Sequence, residues 1–454
     1  MAEIAPLKGL VYNASLTGNL RDLVSPPYDV VTPEQQAAFH RAHPNNVMHL
    51  ILGARHEDDQ TPYDWHERAA VSFSEWQAEK ILVRQKQRAI YYTESDFTDL
   101  ITGQRKTRRG FICLLRLEDF NKNGTVRPHE RTFSSTKAER LNLMKNVQAN
   151  LSSIFTVYPD ETGQSIELLM SGVHSQPMFD FMDPEGRGHR LWPVTDESVV
   201  RKLRKFIQDK TVYIADGHHR YETSLNYRRY MQENGQKIGP RSPLNYTMAY
   251  LCAISDPGLT ILPAHHLISN SLNLSRKELE TALNKYFHVR TFSYTKTEER
   301  VTRKAFLRNL EKEGRTENAL GLYTRLAKTY YLLKPREEAA KESTFDAWPP
   351  LLRKIDTVIL TSLVLQGIIG LTAETLDDPE RITYTSRARD AIRQVNEGQV
   401  EMACILNPTR IEQVQAVAEA GLIMPRKSTY FFPKVITGML FNPLSPLEEI
   451  EPLL

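Results

Sequence analysis

The sequence predicts a mixed protein of strands and helices, α/β or α+β, built as more than one domain. Strand-like and helix-like stretches alternate along the chain, which argues against an all-helical fold. No internal repeat or low-complexity tract breaks that alternation. The 454 residues also exceed what one hydrophobic core usually holds, and an apolar fraction of 41% suffices to fill two or three.

In order, "SPPYDVVTPEQ" (25–35) reads as a strand exit, a rigid proline turn and a helix opened by Thr32-Pro33-Glu34. "DWHERAAVSFSEWQAEKIL" places Ala70, Phe73, Trp76 and Ile81 at helical spacing, and "AIYYTESDF" is strand-like. "RRGFICLLRLEDF" (108–120) is a strand by its Phe, Ile, Cys and Leu content. "SSTKAERLNLMKNVQAN" is a helix capped by Ser134 or Ser135, with Leu141, Met144 and Val147 on one buried face. "SSIFTVYPD" and "KTVYIADG" are further strands. "YTMAYLCAI" and "LTILPAHHLI" flank Asp256-Pro257-Gly258 as a hairpin or a strand-turn-strand. Residues 275–345 are charge-rich and largely helical around a hairpin-like "ALGLYTRLAKTYYLLK", and "DTVILTSLVLQGIIGL" reads as a buried helix. Two helices stopped by Gly398 and Gly421 enclose the strand "VEMACILN".

A net charge of +3 is too small to support a bulk nucleic-acid binder, so nucleic acid is not expected as a partner. Cys113, Cys252 and Cys404 lie far apart among apolar neighbours, which fits buried free thiols in a reducing cytoplasm. The first residues carry no signal-peptide pattern. The longest apolar run, 358–371, is interrupted by Thr361, Ser362 and Gln366 and is too short to span a bilayer. A soluble cytoplasmic protein without a membrane partner is expected.

Three clusters could carry chemistry. "VYIADGHHRYET" has the form strand, Asp-Gly, His-His-Arg, helix. Gly217 at the turn lets backbone approach a ligand, and amides at a helix start attract an anion. His218, His219 and Arg220 add donors, and Asp216 at the strand end could bind magnesium or accept a hydroxyl proton. The residues alone leave an anion cradle, a simple helix cap and a metal site open, though adjacent histidines point in different directions and do not make a zinc pair. In "VRPHERTF", a proline fixes the backbone before His129, Glu130 and Arg131, as suits a positioned acid or base, or a surface turn. In "AGLIMPRKSTYFFPK", two cations beside Ser428 and Thr429 could form an oxyanion clamp or an ordinary strand entry. "PPYD" reads as a structural turn. Neither a GxxxxGK[ST] loop nor a GxGxxG after a strand is present.

Together, "SPPYDVV", "RPHERT", "IADGHHRYET", "DPGLTILPAHHL" and "MPRKSTYFFPK" resemble the domain-of-unknown-function family numbered 1015, across almost the whole chain. The order of the "RPHE", "DGHHR" and "KST" motifs is also similar to the archaeal free-serine kinases, which have a ParB/sulfiredoxin-like fold and use ADP. That resemblance implies an α+β fold: a ParB/sulfiredoxin-like core with additional α/β N-terminal and middle regions. The expected divisions are an N-terminal α/β region over 1–107, the core over 108–272, a helix-rich insertion over 273–375 and a C-terminal α/β region over 376–454.

It also implies a phosphotransferase acting on serine, phosphoserine or a similar small hydroxyl compound, in the kinase or the phosphatase direction. Glu130 would be the base or hydroxyl-orienting carboxylate and Asp216 its partner. His129 and Thr132 would contact the substrate. Gly217, His218, His219 and Arg220 would cradle nucleotide phosphates, and Lys427, Ser428 and Thr429 would clamp the transferring group. ADP or ATP and Mg²⁺ are the implied cofactors, with no metal ligand fixed. The alternative is a non-catalytic nucleotide-binding regulatory protein of ParB-like fold.

Overall fold

Strand Arg105–Arg116 is the backbone of the first of two units into which the chain divides. The computed structural model describes residues 1–121, 124–130, 132, 134–270, 273–341, 343–445 and 448–451. Its first unit comprises Met1–Asp99, Gly103–Thr260 and Pro433–Leu454; the second comprises Leu100–Thr102 and Ile261–Phe432. The mixture of sheets and helices is the one expected.

The main sheet of the first unit has nine strands: β1 (Ile4–Ala5), β2 (Ile90–Thr98), β3 (Arg105–Arg116), β4 (Val126–Arg127), β5 (Ile154–Tyr158), β6 (Phe179–Met182), β7 (Gly188–Val194), β8 (Val212–Asp216) and β9 (Tyr246–Ala253). Their order is β4-β8-β5-β9-β3-β2-β7-β6, with β1 also paired to β3. Most pairs are antiparallel; β4 with β8 and β5 with β9 are parallel. The unit's longer helices include α1 (Pro33–Ala42), α2 (Trp65–Ala78), α3 (Ser134–Val147), α4 (Glu197–Gln208) and α5 (His218–Glu233). Helix α1 opens as read, with Thr32 closing a capping box on Gln35.

One face of this sheet is hydrophobic. Phe111, Ile154, Ile214 and Leu251 share a core with Val199, Leu203 and Ile207 of α4, whose start is capped by Asp196. Alternation along β8 would put Asp216 on that same face as Ile214. Instead the register shifts between Ile214 and Asp216: Ile214 pairs with Thr156, but Asp216 pairs with Phe155. Phe155 in turn pairs with Tyr250. The bulge therefore moves Asp216 out of the core row and into the row of Phe155 and Tyr250.

The second unit holds a six-stranded antiparallel sheet of β10 (His265–Ile268), β11 (Phe287–Ser293), β12 (Leu320–Thr324), β13 (Thr329–Pro335), β14 (Ile382–Thr385) and β15 (Met402–Ile405), ordered β11-β13-β12-β15-β10-β14. Helices α6 (Arg276–Tyr286), α7 (Glu299–Gly314), α8 (Ala388–Asn396) and α9 (Ile411–Glu419) supply its cores. Leu283 of α6 and Val417 of α9 pack in one cluster; Phe306 of α7 and Ile392 of α8 pack in another.

Several expectations change here. The Asp256-Pro257-Gly258 turn is strand-turn-strand and not a hairpin, because β9 belongs to the first sheet and β10 to the second. The apolar run after Asp356 is helical and buried as read, an α-helix over Asp356–Ile359 that widens to a π-helix over Leu360–Gln366. A division after residue 107 would cut β3, whose Arg105 pairs with Thr98 of β2. The 273–375 stretch contributes three strands to the second sheet, and 376–454 is shared between the units at Phe432/Pro433. Among the described residues, no helix is long and apolar enough to cross a membrane.

Candidate functional site

Helix α5 begins where β8 ends, and Gly217 makes the joint. Its φ of 88° lies in the left-handed region, and an added Cβ would stand 3.0 Å from Arg220 Nε. Glycine is required there for the backbone and for the close approach of the arginine. No side chain caps the start of α5. The helix thus presents its positive end without a capping oxygen beside a strand-end carboxylate.

That carboxylate, Asp216, is held by two cations. Arg220 Nη2 donates to Oδ2 at 2.6 Å, and Lys434 Nζ forms a short ion pair with Oδ1. The other arm of Arg220 reaches Ser152 Oγ at 3.3 Å and the Ser153 carbonyl. Burial alone would raise the Asp216 pKa, but Lys434 and Arg220 outweigh it and lower the value to about 2. Asp216 is therefore ionised at neutral pH and is a poor proton acceptor.

The two flanking histidines are neutral. His129 is fully buried, and desolvation lowers its pKa to about 4; burial likewise pushes His218 well below the usual imidazole value. Their rings stand edge to face at 4.9 Å, and the His129 backbone N–H donates to His218 Nε2 at 3.3 Å. This contact ties the segment after β4 to the first turn of α5. Asp216 itself is thus contacted by two cations and flanked by two neutral imidazoles, with Glu130 as a second carboxylate on the neighbouring segment.

The half-buried Glu130 follows on the same segment. Strand β4 runs parallel to β8 with Arg127 opposite Tyr213; three residues beyond that pair stand Glu130 and Asp216. Thr132 donates to Glu222 Oε1 at 2.7 Å, and Lys137 binds the other oxygen at 2.7 Å. Glu222, the last acidic residue of "IADGHHRYET", thus anchors the loop that carries Glu130. Arg131 and Phe133 lie outside the described residues, as do the side chains of Ser134 and Ser135.

Of the expected residues, His129, Glu130, Thr132 and Asp216 to Arg220 all belong to the first unit, whereas Lys427, Ser428 and Thr429 belong to the second. Lys427 is in the left-handed region at φ 58°. The Ser428 hydroxyl donates to the Pro425 carbonyl at 2.7 Å and shares a 2.7 Å bond with Thr357. The lysine beside Asp216 is Lys434, seven residues after Lys427 and just past the strand-like "YFF" that enclosed it in the sequence. Tyr28 stands in the "PPYD" turn. Its ring lies 4.1 Å from the Arg140 guanidinium carbon, and it lines a cleft with Arg220, Ser152, Thr223 and Thr247.

Asp216 offers no open oxygen to a Mg²⁺ ion. Each Asp216 oxygen already faces a cation, and among the described residues no group of three or more metal-ligating side chains occurs.

A family model described as "Protein of unknown function (DUF1015)" matches residues 4–358. No curated protein matches the chain. Among solved structures, a free-serine kinase variant in complex with AMP is 13% identical, covering 68% of this chain and 84% of that one, with a TM-score of 0.33. A conserved hypothetical protein from Pyrococcus furiosus is 14% identical over 68% of this chain and 89% of its own, with a TM-score of 0.32. SbnI with a C-terminal truncation, from Staphylococcus aureus, is 9% identical over 73% and 87%, with a TM-score of 0.34.

Proposed function

The chain belongs to the DUF1015 family of unknown function, and from that premise we propose that it is a phosphotransferase, moving a phosphoryl group between ADP or ATP and a small hydroxyl compound of the serine or phosphoserine class. The observation that carries this reading is the charge arrangement at the uncapped start of α5: Arg220 and Lys434 against the single carboxylate of Asp216. Phosphoryl transfer asks a protein for positioning and charge neutralisation more than for covalent chemistry. Two fixed cations beside the uncapped, positive end of a helix supply both.

The roles divide by environment. Asp216, held ionised, orients the two cations and is not the base. Glu130 is the base: it takes the hydroxyl proton as that oxygen attacks phosphorus and the bond to the leaving nucleotide oxygen breaks. Gly217, His218, His219 and Arg220 form the phosphate cradle through the helix start, with Lys434 as its second cation. The neutral His129–His218 pair keeps the glutamate loop docked, and Thr132 does the same through Glu222.

The direct test is to incubate the protein with serine and ATP or ADP, and separately with phosphoserine and ADP, with Mg²⁺ present, following phosphorus by NMR. Transfer in either direction supports the reading; none in either direction removes it. The same two cations at the helix start would also hold a nucleotide in a non-catalytic protein. Nucleotide binding without turnover would select that alternative.

A further inference from the structure

Arg108 is the most unusual charge in the first unit. It is 1% exposed, and among the described residues no carboxylate forms an ion pair with it. A guanidinium stays charged at any physiological pH, so burying it without a counter-ion is costly. Its carbon lies 4.7 Å from the Phe155 ring centroid and 5.2 Å from that of Tyr250, and Nη1 donates to the Pro433 carbonyl. Ring faces offset part of the charge, but they satisfy no N–H.

Two donors remain. Arg108 Nε and the Tyr250 hydroxyl are both buried and make no hydrogen bond of good geometry, although the hydroxyl lies close enough to the Arg108 guanidinium and the Cys252 thiol to interact with both. Burial raises the Tyr250 phenol well above its usual pKa, so the hydroxyl keeps its proton and can donate. Gly110 makes the arrangement possible, because a Cβ there would come within 2.5 Å of the Tyr250 hydroxyl.

The position of the pair is informative. Tyr250 and Phe155 share the cross-strand row that the bulge in β8 gives to Asp216. The carbonyl that Arg108 holds belongs to Pro433, whose neighbour Lys434 pairs with Asp216. Two donors without a well-formed hydrogen bond, and a positive charge that Asp256 balances only from beyond ion-pair distance, therefore lie on the sheet face of the candidate site, linked to it through one peptide.

We propose that Arg108 and Tyr250 form an oxyanion subsite, filled when a ligand at the Asp216 site brings a second anionic group. The oxyanion is the acceptor's carboxylate or a phosphate of the nucleotide; both supply the acceptor oxygens that these donors lack. Both side chains are sealed from solvent, so the subsite fills by local opening. The proposal rests on the phosphotransferase reading for its choice of probes, but it requires binding and no turnover.

Calorimetry on the full chain tests it with L-serine, ethanolamine (serine without its carboxylate), inorganic phosphate and ADP, comparing the native protein with Tyr250→Phe and Arg108→Lys. Tyr250→Phe keeps the ring and removes a hydroxyl without a well-formed hydrogen bond, so it folds and melts at the same or a higher temperature. The expected result is a loss of about tenfold in affinity for an oxyanion probe in Tyr250→Phe, as for one lost hydrogen bond to a charged group. If serine affinity falls and ethanolamine affinity does not, the subsite takes the carboxylate. If phosphate or ADP affinity falls instead, it takes a phosphate. Unchanged affinity for every probe in Tyr250→Phe, or no binding of any oxyanion to the native protein, overturns the proposal. Binding that depends on Tyr250 in a protein that transfers no phosphate leaves the subsite standing and removes only the phosphotransferase reading.

Discussion

Two segments of this chain carry cations beside groups suited to phosphate, and they behave differently. In Asp216–Arg220 the glycine turn leaves the helix start uncapped, and Arg220 and Lys434 outnumber the carboxylate between them. In Lys427–Thr429 the Ser428 hydroxyl is engaged with Pro425 and Thr357, its carbonyl accepts from Thr409, and Lys427 turns the chain in a left-handed conformation. One segment sets two cations on a carboxylate; in the other, Ser428 is tied to its own turn at Pro425 and to the distant Thr357 and Thr409. Residue types of similar promise differ in what they leave open according to where their neighbours have already used their donors.

The sharpest test of that contrast is Glu130→Gln. It removes the proton acceptor while conserving shape, so transfer falls by roughly a thousandfold with nucleotide affinity nearly unchanged, as measured by phosphorus NMR and calorimetry. Asp216→Asn comes next. It leaves Lys434 and Arg220 buried without their counter-charge and lowers stability by about 3 kcal/mol in urea unfolding. An unchanged midpoint would mean that the two cations do not depend on this carboxylate.

Acid titration gives a smaller, graded effect. The folded pKa of His129 is about 4, below its usual 6.5, and His218 is displaced the same way. The unfolded chain then binds more protons in that window, so the stability contributed by the neutral pair is complete above pH 6.5 and is lost as pH falls toward 4. The Asp216 contribution is lost only lower, as pH falls from 3.8 toward 2. A thermal midpoint flat from pH 7 to 4 would break the assignment of a buried, neutral pair. The mildest change is Ser428→Ala, which costs about 1 kcal/mol through its lost hydrogen bonds and leaves phosphate affinity intact. A large loss of phosphate affinity would erase the contrast between the two segments.

Local grammar was readable and long-range placement was not. The strand–glycine–helix form of 212–233 follows from β propensity, a turn glycine and a polar helix, and all three are local. The hairpin of β12 and β13 was legible for the same reason. The bulge at Ile214–Asp216 leaves no sequence mark, yet it decides which face Asp216 occupies. Lys434 was passed over for Lys427 because residue type favoured the lysine beside two hydroxyls, whereas tertiary packing brings the later one to Asp216. Arg108 read only as the edge of an apolar strand, and nothing in "RRGFICLL" says that its first arginine is buried and its second is not.

The return of Pro433–Leu454 to the first unit sets an order of events during synthesis. A ribosome releases the strands bearing Asp216 and Arg108 long before it makes Lys434, with the whole Ile261–Phe432 unit in between. Until then Asp216 lacks one of its two counter-charges and Arg108 lacks the carbonyl it grips. A nascent or prematurely terminated chain could thus complete the β8 strand and the α5 helix and still have no finished site. Completion of the charge cluster would mark the chain as having been read through its second unit.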